Sequence, residues 1–159
     1  MNPVLFRKIL GNFATGVTIV TTRDDEGQPY GVTVNSFTSV SLDPLLVLVC
    51  LHNRVGGLDF FFRSRVFAIN ILSAKQATLS DHFARSGGDR SRYLNWEGAL
   101  GAPLIRGCPA GLECELETTL PGGDHTILIG RVVNGRLSGQ PRDPLLFYRG
   151  KYHEIGTAI

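Results

Sequence analysis

The chain has 159 residues, 43% of them hydrophobic, with a formal net charge of +2, a pI near 8.6 and a mean hydropathy of +0.06. That is the size and balance of one ordinary domain with its own core, expected to run over residues 1–159. The charge is too mild to argue for nucleic acid, and the longest clean apolar run, about eight residues, falls far short of the ~20 that a membrane-spanning helix needs.

The first segment, MNPVLFRKILGNFATG, lacks the basic start, long apolar centre and small-residue cleavage site of a signal peptide, so a cytoplasmic location is expected. Residues 3–12 suit a short helix: Val4, Leu5, Ile9 and Leu10 fall near helical spacing, Pro3 can stand in the first turn and Gly11 can end it. GVTIVTTRD is β-branched and reads as a strand, DDEGQP as a turn, and YGVTVNSF as a second strand, which predicts a hairpin. PLLVLVCL is continuously apolar and predicts a strand buried on both faces, with Cys50 as core packing. The aromatic run DFFFRSR suggests core or dimer packing rather than a site. VFAINIL predicts another buried strand. SAKQATLSDHFAR predicts a helix capped by Ser73 with Gln76 at the capping-box position.

SGGDRSRYLNWEG, residues 86–98, breaks the periodicity and reads as a loop or mobile cover. AGLECELETTL, HTILIGRVVNGRLS and PLLFYRGKYHEIG add at least three further strands. Six or seven strands with one or two helices and closely spaced turns favour a mainly β, antiparallel barrel over a doubly wound sheet. Cys50, Cys108 and Cys114 form no CxxC pair, and His52, His82, His125 and His153 are scattered, so no metal site is expected.

Beside the apolar PLLVLVCL run lies TVNSFTSVS, where most side chains are hydroxyls or amides. An exposed sheet face accounts for such a run, since Thr is a good strand former. The functional reading is an uncharged groove whose neutral donors hold a polar ring, a polyol chain or a phosphate without the cost of burying a charge. Arg54, Arg85 and Arg90 are candidates to neutralise a phosphate. Neither GxGxxG at a strand-to-helix turn nor GxxxxGK[ST] occurs, so any nucleotide-like cofactor would sit on a barrel. There is no GxSxG elbow. His125, after Asp124 in PGGDHTILIGRV, is either a half-exposed turn neighbour or a histidine presented at a groove edge. Tyr148, Arg149, Lys151 and Tyr152 read either as a terminal hairpin with a basic turn or as faces for stacking on a flat ring.

FATGVTIVTT, GVTVNSFTSVSLDP, LVLVCL, FAINIL, GAPLI with LECEL, GDHTILIGRV and PLLFYRGKY stand in that order over nearly the whole chain. In this the chain resembles the flavin reductase-like family, the short-chain reductase components of two-component flavin-dependent monooxygenases. The resemblance implies a split β-barrel of the FMN-binding type, usually a homodimer. It implies an NAD(P)H:flavin oxidoreductase, of the EC 1.5.1 type, that reduces non-covalently bound FMN or FAD by hydride transfer from NADH or NADPH to flavin N5. Reduced flavin would then diffuse to a partner monooxygenase. Carried over residue by residue, Thr33, Asn35, Ser36, Phe37, Thr38, Ser39 and Ser41 match the flavin-contacting strand and turn. Cys50, Leu51, His52, Asn53 and Arg54 match the strand end that approaches the flavin chain and phosphate. Phe83, Ala84 and Arg85 match the helix end over the phosphate. His125, the catalytic candidate, and Tyr148, Arg149, Lys151 and Tyr152 match positions near the nicotinamide.

Two departures stand out: Leu45 replaces the second proline of the family's SLDPP segment, and RVGG replaces a phosphate-holding Ser or Thr after CLHN. Arg54 and the N–H groups of Gly56 and Gly57 are the substitutes. The alternatives are a non-catalytic flavin-binding or redox module, and a pyridoxamine-phosphate-oxidase-like flavoenzyme on a similar barrel.

Overall fold

The structure is a computed structural model that describes residues 1–85, 93–94 and 98–157. Arg90 and most of the expected 86–98 loop lie outside the described residues. Within them are ten strands, three α-helices and one short 3-10 turn, more elements than the six or seven strands and one or two helices expected. The surplus comes from very short strands, whose two or three residues carry too little pattern to read in a sequence.

Helix α1 (Pro3–Leu10) forms for the expected reasons. Asn2 accepts the Leu5 N–H at 2.8 Å, Pro3 stands in the first turn where no N–H is needed, and Gly11 follows the last turn. β1 is Thr15–Gly16. β2 (Thr18–Arg23) and β3 (Pro29–Val34) form the expected hairpin, in register from Thr18↔Val34 to Arg23↔Pro29. Its turn is held by Asp24 Oδ1, which accepts the N–H groups of Glu26 and Gln28 at 3.0 and 2.7 Å.

YGVTVNSF does not continue as one strand. β3 ends at Val34, and β4 (Thr38–Leu42) begins after Asn35, Ser36 and Phe37. β5 (Leu45–His52), β6 (Val66–Ile71), β7 (Ala110–Gly122) and β8 (His125–Leu137) complete a seven-stranded antiparallel sheet in the order β3-β2-β6-β7-β8-β5-β4.

That order places β3 and β4 at opposite edges, about 29 Å apart if the sheet were flat at ~4.8 Å per strand. Yet three residues join them, and the four Cα steps from Val34 to Thr38 span at most about 14 Å. The sheet must therefore curl until its edges meet. Ser36 marks the seam: its Oγ donates to the Cys50 carbonyl at 2.9 Å and accepts the Cys50 N–H at 3.0 Å. No strand ladder joins β3 to β5, so the barrel is split.

Its interior holds Val20, Val47, Val49, Leu51, Phe67, Ile69, Cys114, Leu116 and Leu128, drawn from five strands. Helix α2 (Leu58–Ser64) adds Phe61 to this core, and Phe60 meets Tyr30 edge-on at 5.4 Å, so the aromatic run packs as core. A second core on the outside of β2 and β6 joins Val17, Ile19, Leu72, Phe83 and Leu145. β2 is buried on both faces because it divides the two cores.

PLLVLVCL departs from expectation. Val47, Val49 and Leu51 point into the barrel, whereas Leu46, Leu48 and Cys50 on the other face are only half-buried and Leu45 is exposed. The apolar run is thus one buried face and one partly uncovered face, a distinction that continuous hydrophobicity cannot make. β9 (Leu146–Tyr148) and β10 (Lys151–His153) form a small sheet with β1. After the 3-10 turn Ala74–Gln76 comes helix α3 (Ala77–Ala84). Gln76 Oε1 accepts the Ser73 N–H at 2.9 Å, the expected capping contact.

Candidate functional site

The seam carries a small cleft of about 160 Å³ lined by Val17, Thr33, Val34, Asn35, Ala84, Phe147 and Tyr152. Three separate elements are stitched together there. Thr33 Oγ1 donates to the Ser80 carbonyl at 2.8 Å, tying β3 to α3. The Ser80 hydroxyl and the Tyr152 phenol lie 2.8 Å apart, tying α3 to β10. Burial pushes the Tyr152 phenol up; the Ser80 hydrogen bond opposes this and the Asp81 charge adds to it. The phenol therefore stays protonated at neutral pH. Apolar walls with a few neutral polar groups suit a flat heteroaromatic ring. In β1, two residues before Val17, the Thr15 Oγ1 is buried and has no hydrogen-bond partner among the described residues.

The expected flavin-side residues divide. Thr33, Asn35 and Ala84 line the cleft, and Ser36 closes the seam beside it. Phe37 packs against the barrel core. Thr38, Ser39 and Ser41 run along the edge strand β4 and do not line the cleft; Ser41 Oγ accepts the Asp43 N–H at 3.2 Å. Leu51 and Phe83 are core residues, so their side chains are committed to packing. Arg85 caps α3 at its C-terminus, next to Ala84.

From Cys50, two residues of β5 lead to a second cluster, about 7 Å along the strand. Here His52 pairs across the ladder with His125, the rings 5.1 Å apart and edge-on. Asp124 lies between them, with Oδ1 2.7 Å from His125 Nδ1 and Oδ2 4.0 Å from His52 Nε2. The Asp124 carboxyl is held below its ordinary range, chiefly by the His125 hydrogen bond; desolvation opposes this, and the nearby histidines add smaller lowering contributions. Asn53 donates its N–H to the Asp124 carbonyl at 2.9 Å and its Nδ2 to the Gly123 carbonyl at 3.2 Å. It also accepts the Thr126 hydroxyl at 2.8 Å. The Arg54 N–H donates to His52 Nδ1 at 3.0 Å.

The C-terminal quartet does not stay together. Tyr152 pairs with Phe147, on the cleft side of the β9–β10 hairpin; Tyr148 and Lys151 are the next pair and occupy the opposite face. Arg149 stacks on Tyr148 at 5.1 Å and donates its Nε to Asn12 Oδ1 at 2.9 Å. It lines a different, basic cleft of about 510 Å³ with Arg7, Lys8, Gly11, Asn12 and Gly150.

Sequence reasoning did not single out Val17, Val34, Phe147 or Ser80, whose apolar or small side chains carry no chemical signal. Asp124 was legible only as a turn residue. Among the described residues no group of three or more His, Cys, Asp or Glu is placed to hold a metal ion.

A split barrel with an uncharged ring cleft at its seam, and histidines at the end of the adjoining strand, defines the class. The chain belongs to the flavin reductase-like family: the flavin reductase like domain matches residues 10–156. It is 40% identical over 156 residues to the flavin-dependent monooxygenase reductase subunit HsaB of Rhodococcus jostii, covering 98% of this chain and 79% of that protein. It is 44% identical over 147 residues to the reductase component of the flavin-dependent trigonelline monooxygenase of Acinetobacter baylyi, covering 92% of this chain. The chain spans about half the length of some curated relatives it matches, 47% in that case. Among solved structures it resembles the Streptomyces globisporus C-1027 NADH:FAD oxidoreductase SgcE6 in complex with NAD and FAD fragments. The TM-score is 0.90 at 38% identity, covering 98% of this chain and 93% of that one.

Proposed function

We propose that the protein is an NAD(P)H:flavin oxidoreductase, of the EC 1.5.1 type, that reduces FMN or FAD and passes the reduced flavin to a partner monooxygenase. The observation that carries this reading is the seam cleft, with Thr33, Asn35 and Tyr152 at its edge and His125 beyond it on the adjoining hairpin. Bound flavin would supply the electron-accepting N5. The chain's own residues hold and orient. Val17 and Phe147 offer apolar contact to a flat ring. Asn35 and, along the edge strand, Ser39 offer neutral donors where negative charge develops, while the Ser36 hydroxyl is committed to Cys50 and fixes the backbone beside them. Arg54, two residues after β5, and Arg85, at the end of α3, are the candidate partners of a phosphate. His125 orients the nicotinamide, and no protein nucleophile is needed. Holding two rings in register removes much of the entropic barrier. Arg149 and Lys151, which lie on the far side of the hairpin, stand outside this arrangement.

Further parts of the reading rest on lesser support. The family match over residues 10–156 supports a single catalytic domain. The unpaired thiols of Cys50, Cys108 and Cys114 suit a reducing, cytoplasmic setting, and no helix among the described residues is long and apolar enough to cross a membrane. The uncovered apolar side chains of α1 support a homodimer.

The deciding experiment is NADH and NADPH oxidation by the purified protein with FMN, FAD or no added flavin. Many equivalents of flavin reduced per protein would support the reading and identify both preferences. A yellow protein that oxidises neither nucleotide would replace it with a flavin-binding module.

A further inference from the structure

His125 is the first residue of β8 and pairs with Gly122 across a turn of only two residues, Gly123 and Asp124. Gly123 has φ 71°, a value suited to the first central position of a type II′ turn. Asn53, just after β5, holds this turn by donating to the Asp124 and Gly123 carbonyls, and it accepts the Thr126 hydroxyl from the start of β8. Asp124 and His125 are thus presented on a braced backbone rather than on a loose tip.

On that backbone the chemistry of the contact is one-directional. An ionised carboxylate only accepts, so the 2.7 Å contact between Asp124 Oδ1 and His125 Nδ1 requires the proton on Nδ1. In the neutral ring Nε2 is then bare, because the hydrogen bond made by one ring nitrogen decides the state of the other. His52 is arranged the opposite way. Its Nδ1 accepts the Arg54 N–H, which leaves the proton on Nε2, on the side of Asp124 Oδ2. Two edge-on histidines around one carboxylate therefore carry opposite tautomers.

We propose that Asp124 is a positioning residue that locks His125 as its Nδ1–H tautomer, so that His125 meets the nicotinamide carboxamide as a hydrogen-bond acceptor at Nε2. This rests on the reductase reading above and specifies it, since a histidine at a groove edge can otherwise either donate or accept. The carboxamide NH2 is the matching donor. The Asp124 side chain is 79% exposed and the His125 side chain 41%, so the pair adds little to folding stability and its effect is directional.

The test combines ring-nitrogen NMR with kinetics on the full chain, comparing wild type, Asp124→Ala and Asp124→Asn. Spectra are taken above the ordinary histidine range, and His125→Gln assigns the resonance. The Asn side chain keeps an acceptor oxygen, so Asp124→Asn should retain Nδ1–H and most of the NADH affinity. Asp124→Ala should release the ring to Nε2–H and raise KM for NADH about tenfold with little change in kcat, as expected when one ground-state hydrogen bond is lost. A wild-type ring protonated on Nε2 overturns the proposal. So does a tautomer change in Asp124→Ala that leaves KM for NADH unaltered, an outcome under which the reductase reading survives. A wild-type protein that oxidises no nicotinamide sinks the reductase reading and the proposal with it. The NMR spectra keep that failure distinct from a failure of the lock.

Discussion

At the scale of single residues, burial decides which reactive groups are available. Cys108 and Cys114 are buried, and desolvation pushes their thiols up to about 11 and about 12; the Glu113 charge adds to the effect at Cys114, and the Gln76 hydrogen bond opposes it at Cys108. Cys50 is half-buried and is raised by burial alone. In the unfolded chain these thiols ionise near ~8.5, so above that pH the unfolded state holds fewer protons than the native state. Native stability should therefore fall as pH rises from about 8.5 towards 11, which urea unfolding at a series of pH values would measure. Thiol labelling of the native protein at pH 8 should reach Cys50 first and the other two only on unfolding; equal rates at all three would contradict the burial.

At the scale of elements, β8 shows how a strand is shaped by what lies across it. Gly130 pairs with Val47 on one side and Leu116 on the other. A Cβ at Gly130 would press on the Phe67 ring and come within 2.9 Å of the Cys114 Cβ. Gly130→Ala should cost about 1–3 kcal/mol through overpacking, read as a lower urea midpoint at unchanged slope. Gly139→Ala, which meets nothing within 4 Å, should leave the midpoint nearly unchanged. The hairpins were legible because their turns carry local chemistry. Asp24 and Gly27 announce the β2–β3 turn, and Gly123 the β7–β8 turn. The end of β3 was not legible. Asn35–Ser36–Phe37 keeps a strand-like pattern, and only the long-range bond from Ser36 to Cys50 shows that the chain crosses the seam there.

At the scale of the whole molecule, one chain leaves a large apolar helix uncovered. Val4, Leu5, Phe6, Ile9, Leu10 and Phe13 are between 49% and 76% exposed, and α1 buries no residue. Such surface is costly to leave in water at about 25 cal/mol per Å². A homodimer of two 17.3 kDa chains is the expected species, and light scattering coupled to size exclusion would read it directly. Leu5→Glu with Ile9→Glu should shift that species to the monomer if α1 is covered by the second copy. A wild-type monomer at micromolar concentration would rule the dimer out.

The sequence by itself determined the local features: the β-rich class, the capped helices, the turns and the family. Each is written in side chains within a few residues of one another, where propensity and periodicity act. Tertiary structure alone decided which polar residues share a site. Thr33, Ala84 and Tyr152 come from β3, the end of α3 and β10, and they meet because α3 and the β9–β10 hairpin pack on the second core outside β2, with Ser80 bonded to both Thr33 and Tyr152. Tyr152 is separated from its sequence neighbours by local geometry instead: alternation along β10 sends Lys151 to the opposite face, and Arg149 sits in the β9–β10 turn and lines the other cleft. A site assembled by long-range packing leaves no short-range spacing for a sequence to display.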